Sequence, residues 1–196
     1  MVTLQNLIDG DISAIKQHLE TIDLTKESEK IANWSYKQYF LKEAGVEHYK
    51  LIAWVSSLFP NQTIMDIGTH YGNSSLAMSQ PQDVNLISYD IVEMKQLFQP
   101  FPKNCEYKIG DFREDPVTLS SPFIFIDVDP HDGIQETQFH NFFLEKKYKG
   151  ITLWDDIHLN EGMRNWWNSV DGSVVKKVDL TEIGHHSGTG MIIYEG

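Results

Sequence analysis

The 196-residue chain has one cysteine, Cys105, so no disulfide can form within it. That fits a reducing compartment, or at least a fold that needs no cross-links. No apolar run approaches the roughly 20 residues a membrane-spanning helix needs. The first residues, M-V-T-L-Q-N-L-I-D-G-D, carry neither a basic stretch nor a long apolar core. No secretory leader is therefore expected, and the expected location is cytoplasmic, away from any membrane. Positive charge is scarce: 16 Lys and Arg stand against 28 Asp and Glu, a formal net charge of -12. With no dense Lys/Arg patch to offset it, this balance opposes a phosphate backbone, so nucleic acid is not an expected partner. Internal repeats, low-complexity segments and linkers are also missing. What remains is 41% hydrophobic and 22% charged, the composition of a soluble globular chain of one domain with a small-molecule substrate. The expected organisation is a helical cap over residues 1–44 on a core over residues 45–196, with room for a homo-oligomer.

The chain is organised around Thr63 to Ser75, T-I-M-D-I-G-T-H-Y-G-N-S-S. A short apolar run (Ile64, Met65, Ile67) is interrupted by an acid, Asp66. Gly68 and Gly72 follow four residues apart, and Ser74 onward reads as a helix that Pro81 stops. Strand, glycine turn and helix let a backbone approach a nucleotide closely, with helix N–H groups aimed at it. The spacing G-x-x-x-G, with an acid ahead of it, is not the dinucleotide fingerprint G-x-G-x-x-G.

Before this turn, Leu4, Leu7 and Ile8, then Ile12, Ile15 and Leu19, have helical spacing. These early helices either cover a sheet face or close over a site. Trp34, Tyr36, Tyr39 and Phe40 either pack as core or stack on a ligand ring. A helix is expected from Glu47 to Phe59, ended by Pro60. After the turn, Val84 to Asp90 reads as a second buried strand ending in an acid 24 residues beyond Asp66. A carboxylate there can accept both ribose hydroxyls of a nucleoside, or is an ordinary loop acid. Ile91 to Phe98 reads as a short helix, and Pro100-Phe-Pro102 as a turn. Tyr107 to Phe112 reads as the third strand with its exit loop.

The segment from Pro122 to His158 carries the chemistry. Phe123-Ile-Phe-Ile-Asp127-Val-Asp129 is an apolar strand ending in two acids. Residues 134–149 form a helix with Phe139, Phe142 and Phe143 toward the sheet. Gly150-Ile-Thr-Leu-Trp-Asp155-Asp156-Ile-His158 is another strand ending in two acids. Alternating strands and helices indicate a parallel sheet, whose sites lie beyond the carboxyl ends of the strands. Four carboxylates would converge there. Two like charges about 4 Å apart repel by roughly 4 kcal/mol at an effective dielectric near 20. Protonation, divergent orientation or a bound cation relieves this, and oxygen ligands with a histidine nearby suit Mg²⁺, Ca²⁺ or Mn²⁺. Further on, Trp166 and Trp167 pack on the sheet or line a substrate mouth. Val174–Val178 and Met191–Tyr194 form a closing antiparallel hairpin. Its loop histidines, His185 and His186, either reach the site or stay in the loop.

The D-x-G-x-x-x-G turn, the I-D-x-D strand end and the later D-D pair resemble class I S-adenosylmethionine (SAM) dependent methyltransferases. Within that class they resemble the divalent-metal-dependent O-methyltransferases, of the catechol type and of the type acting on sugar hydroxyls of macrolide and aminocoumarin antibiotics. The resemblance spans roughly residues 45–194. It implies a Rossmann-like α/β fold: a mostly parallel seven-stranded sheet with helices on both faces and a C-terminal antiparallel hairpin. It implies SAM bound by Glu47, Asp66, Gly68, Thr69, His70, Tyr71, Gly72, Asn73, Ser74, Asp90, Ile91, Asp111, Phe112 and Asp127. Asp111 would contact the adenine amino group and Phe112 would flank the ring. Mg²⁺ or another divalent cation would be held by Asp127, Asp155 and Asp156. Asp129 would be the general base, with His158 as the alternative. The lysine that catechol enzymes carry three residues after the first acid is replaced here by Pro130. The sugar-modifying pattern D-x-D-H is also displaced, His131 lying one place further along. The expected reaction is O-methylation of a sugar, polyol or phenol. Its rivals are a metal-dependent hydrolase or hydroxylase on the same scaffold, and a non-catalytic SAM-binding module.

Overall fold

A computed structural model describes residues 2–93 and 102–196. The N-terminal part holds α1 (Leu4–Asp9), α2 (Ile12–Leu19), α3 (Thr25–Ser28), α4 (Trp34–Gln38), a π-helical turn at Tyr39–Glu43 and α5 (His48–Ser57). Then follow β1 (Thr63–Ile67), α6 (Asn73–Met78), β2 (Asn85–Asp90), β3 (Cys105–Ile109) and β4 (Phe123–Ile126). The chain closes with α7 (Ile134–Glu145), β5 (Lys149–Asp155), α8 (Glu161–Ser169), β6 (Lys176–Asp179) and β7 (Thr189–Glu195). Elements begin and end within a few residues of their sequence-based bounds, except at Ile91. There the chain bends, with Ile91 and Val92 exposed. The rest of the helix expected to Phe98, and most of the turn at 100–102, lie outside the described residues.

The described strands form one sheet in the order β3-β2-β1-β4-β5-β7-β6. β1 pairs in parallel with β2 and with β4, β2 with β3, and β4 with β5. β7 runs antiparallel between β5 and β6, so the closing hairpin is inserted and leaves β6 at the edge. Strand order reverses between β1 and β4, where open α/β sheets form their ligand crevice.

Both faces of the sheet are covered, which is why the central strands are continuously apolar. Side chains alternate between two cores. Phe123, Phe125, Ile151 and Leu153 pack with Leu51, Ile52 and Val55 of α5 and with Leu76 and Ala77 of α6. Ile124, Ile126 and Trp154 pack with Phe139 and Phe143 of α7 and Trp166 and Trp167 of α8. The two tryptophans are thus core residues and not part of a substrate mouth. α2 buries Ile15 and Leu19 and packs against α5 and the turn Thr181–Ile183, which joins the early helices to the core on the α5 side of the sheet. The aromatic group after them divides: Phe40 is core, Trp34 is 70% exposed, and Tyr36 and Tyr39 border the cleft described below.

Candidate active site

Asp66 is fully buried at the middle of the glycine-turn motif. Its Oδ2 accepts hydrogen bonds from the hydroxyls of Ser74 (3.0 Å), Ser75 (2.5 Å) and Ser88 (3.0 Å). Burial pushes this carboxyl up, and the three hydroxyls partly pull it back. Asp66, expected to contact a cofactor, is instead a clamp joining β1, β2 and the first turn of α6, and it is not part of the cleft wall. The reason is strand parity, which turns it toward α6 between Met65 and Ile67.

Gly68 has φ +91°, and a Cβ there would lie 1.6 Å from the carbonyl oxygen of Asp127. Its bareness lets the ends of β1 and β4 touch, which brings the turn beside the acid cluster. Gly72 (φ +86°) starts α6 from a left-handed conformation. The Thr69 hydroxyl donates to the Tyr89 carbonyl at 3.0 Å. The His70 N–H donates to Asp90 Oδ2 at 2.8 Å, and the Val92 N–H to Oδ1 at 3.2 Å. Each oxygen of Asp90 keeps an acceptor position for a vicinal diol.

At the exit of β3, Arg113 grips Asp111: its Nε lies 2.9 and 3.0 Å from the two carboxylate oxygens and its Nη2 2.6 Å from Oδ2. This pairing holds the Asp111 carboxyl below its usual range. An adenine amino group would therefore meet a carboxylate that already has a strong donor. Phe112 is buried edge-on against Phe139, ring centroids 4.9 Å apart.

These elements enclose a cleft of about 1040 Å³, ample for a nucleoside-sized ligand and a small second one. Its wall includes Gly68 to Tyr71, Asn73, Ser74, Asp90, Ile91, Asp111, Phe112, Asp127, Asp129, Asp155 and Asp156. Asn73 Oδ1 is buried there without a hydrogen-bond partner among the described residues, so a donor on a ligand would satisfy it. Glu47, Gly72 and His158 are not in the wall. Glu47 stands at the start of α5, where it precedes the helix, and Glu43 lines the cleft in its place. His158 Nε2 pairs with Asp179 Oδ2 at 2.7 Å.

The acids do gather, but with histidines among them. Ligand atoms of Asp127, His131 and Asp156 lie within 4.8 Å of one another, as do those of Asp155, Asp156 and His185. Asp156 therefore links two overlapping groups, and the expected trio of Asp127, Asp155 and Asp156 is interleaved with imidazoles. His185 Nδ1 is 3.0 Å from Asp156 Oδ1, and the Ser187 hydroxyl bridges the same two groups. Its Nε2 is 2.8 Å from the Tyr39 hydroxyl. Burial alone would raise Asp156, but the hydrogen bonds from His185 and Ser187 hold it below the ordinary range. Asp127 and Asp155 are pushed well up, first by burial and then by neighbouring carboxyls, Asp156 chief among those around Asp127. Asp127 lines the cleft with 38% of its side chain exposed. Three non-glycine residues of the wall, His70, His131 and Asp156, have φ between +46° and +59°, conformations that cost of order 1–3 kcal/mol each and gather at functional sites.

Carboxylates with imidazoles at the ends of β4 and β5 make a donor set suited to a divalent cation. His131, displaced by one place from the D-x-D-H pattern, and His185, a loop histidine by sequence, both stand among the acids. Tyr39 reaches His185 from the cap, a contact between residues 146 apart that no local sequence pattern signals.

No protein-family model matches the sequence, and no curated protein does either. Solved structures match along nearly the whole chain. The O-methyltransferase from Bacillus cereus in complex with SAH aligns with TM-score 0.62 at 15% identity, covering 93% of this chain and 97% of its own. The O-methyltransferase TomG from Streptomyces achromogenes, involved in tomaymycin synthesis and solved with SAM, gives 0.59 at 16%, covering 90% and 92%. The SAH-bound methyltransferase PaMTH1 from Podospora anserina gives 0.60 at 14%, covering 94% and 95%. The chain thus has the Rossmann-like fold of class I O-methyltransferases. None of its described helices is long and apolar enough to cross a membrane.

Proposed function

We propose that this chain is an enzyme that transfers a methyl group from SAM to a hydroxyl oxygen of a small molecule, with a divalent cation at the strand ends. One observation carries the reading: the glycine turn of β1 rests directly on the Asp127 backbone. A nucleoside on that turn and a cation among Asp127, Asp155 and Asp156 would then be neighbours in one cleft. The fold and the SAM- and SAH-bound neighbours support the cofactor.

In this reading the two oxygens of Asp90 accept the ribose hydroxyls, and the N-terminal turn of α6 with Asn73 receives the amino acid end. A cation held by the strand-end acids would supply the Lewis acidity that lowers the pKa of the acceptor hydroxyl. Asp129, whose side chain is 91% exposed at the cleft mouth, takes the hydroxyl proton as the oxygen–carbon bond forms and the sulfur–carbon bond breaks. Tyr36 and Tyr71, ring centroids 4.6 Å apart, wall the acceptor side and present aromatic faces to a phenol or sugar ring. The cleft carries many more acids than bases, which disfavours phosphorylated acceptors. Holding oxygen and methyl carbon in line can contribute roughly 7–11 kcal/mol.

The test is transfer of radiolabelled methyl from SAM to a panel of phenols, sugars and polyols, with and without EDTA and with Asp127→Ala in parallel. Transfer that EDTA and the substitution both abolish is expected. Full activity in EDTA would remove the cation, and turnover without SAM would point to the hydrolase reading. SAM binding with no transfer to any acceptor would point to a binding module.

A further inference from the structure

The His131 imidazole has an arrangement that an ordinary loop histidine lacks. Its Nε2 sits among three carboxylates, 3.6 Å from Asp127 Oδ1, 3.6 Å from Asp129 Oδ1 and 3.5 Å from Asp156 Oδ2. These separations are too long for good hydrogen bonds. They do match the spacing of ligands around one ion, because atoms about 2.1 Å from a common centre are about 3.4 Å apart at the tetrahedral angle. The ring is only 13% exposed, and its backbone is anchored by Asn160 Nδ2, which donates to the His131 carbonyl at 2.7 Å. Nearby Glu136 is 2% exposed, with Oε2 unpartnered among the described residues, and adds negative potential to both His131 and Asp127.

The other members of the cluster are placed differently. Asp129 faces solvent. Asp155, with only 4% of its side chain exposed, falls in the second group with Asp156 and His185. His185 is committed to Asp156, Ser187 and Tyr39 and so orients Asp156. We propose that the cation is ligated by the His131 imidazole together with Asp127 and Asp156. A nitrogen ligand selects first-row transition ions such as Fe²⁺, Co²⁺, Ni²⁺ or Zn²⁺ over Mg²⁺, which prefers oxygen alone. This rests on the reading of a cation beside the cofactor and changes both its ligand set and its chemical class.

The experiment uses the full chain with the metal ions alone. Mn²⁺ is added and pulsed electron paramagnetic resonance reads nitrogen modulation of its echo. Zn²⁺ and Mg²⁺ affinities are measured by calorimetry on wild type, His131→Asn and His158→Ala. Asparagine keeps the left-handed backbone accessible, and circular dichroism checks the fold. Nitrogen modulation is expected in wild type and His158→Ala and is absent in His131→Asn. Zn²⁺ affinity is expected to fall at least 10-fold in His131→Asn while Mg²⁺ affinity moves less than 3-fold. No modulation in wild type, or modulation that survives His131→Asn, overturns the ligand assignment. Equal losses for Zn²⁺ and Mg²⁺ overturn the ion class. SAM titrated into the same samples separates the two levels: SAM binding without nitrogen ligation leaves the methyltransferase reading standing, and absence of SAM binding removes that reading by itself.

Discussion

Replacing Gly68 with alanine probes the contact that joins the glycine turn to the acid cluster. The new Cβ would fall 1.6 Å from the Asp127 carbonyl oxygen, whereas a relaxed carbon–oxygen contact is about 3.3 Å or more. The ends of β1 and β4 would have to part by about 1.7 Å, and neither is a flexible side chain that can swing aside. The backbone at φ +91° adds about 1–2 kcal/mol for a residue with a Cβ. Together these predict a loss of about 3 kcal/mol or more of folding stability, within the range of strained-backbone substitutions. At a typical urea dependence, that lowers the unfolding midpoint by about 1 M or more. The ligand atoms of Asp127 would move with the strand, and a misplacement of about 1 Å can reduce a positioned reaction about 100-fold. Urea denaturation and methyl-transfer assays on Gly68→Ala check both. An unchanged midpoint with unchanged transfer would refute the close packing of the two strand ends.

Asp90→Ala removes both acceptor positions at the end of β2, and a loss of about 2 kcal/mol, or about 30-fold in SAM affinity by calorimetry, is expected. Tyr39→Phe removes the hydroxyl 2.8 Å from His185 Nε2; about 1 kcal/mol of stability and part of the transfer rate should go, the first read by denaturation and the second by assay. Acid unfolding should show two windows. His48, buried and held neutral with its pKa well below the ordinary value, gives stability present above pH 6.5 and lost as pH falls below it, because the unfolded chain binds the proton first. Asp115, lowered to about 2 chiefly by the Tyr89 hydroxyl, then by the Val117 N–H and Lys108, gives stability present above about pH 4 and lost between pH 4 and 2. Asp115→Asn should flatten the second window in a pH series of melting temperatures and leave the first.

The sheet was legible because its central strands are apolar runs closed by glycine or acid, and because each is followed by a helical pattern. The acids at the strand ends were legible for the same reason: a parallel sheet places Asp90, Asp127 and Asp155 on one rim whatever the loops do. Loop geometry was not. His131 turns inward through a left-handed backbone, and His185 arrives because β7 inserts beside β5 instead of extending the edge. Neither follows from periodicity. Asp66 looked like a ligand residue because the motif spacing does not say which side of β1 it occupies; parity with Met65 and Ile67 does. The pairing of His158 with Asp179, 21 residues away, is equally a loop contact that no periodicity announces.

The most direct measurement is an anomalous difference map from crystals grown with SAH and Mn²⁺. The account predicts a peak within about 2.3 Å of oxygens from Asp127 and Asp156, with the nucleoside ribose on Asp90 in the same cleft. A peak elsewhere, or SAH bound away from the Gly68 turn, would contradict it.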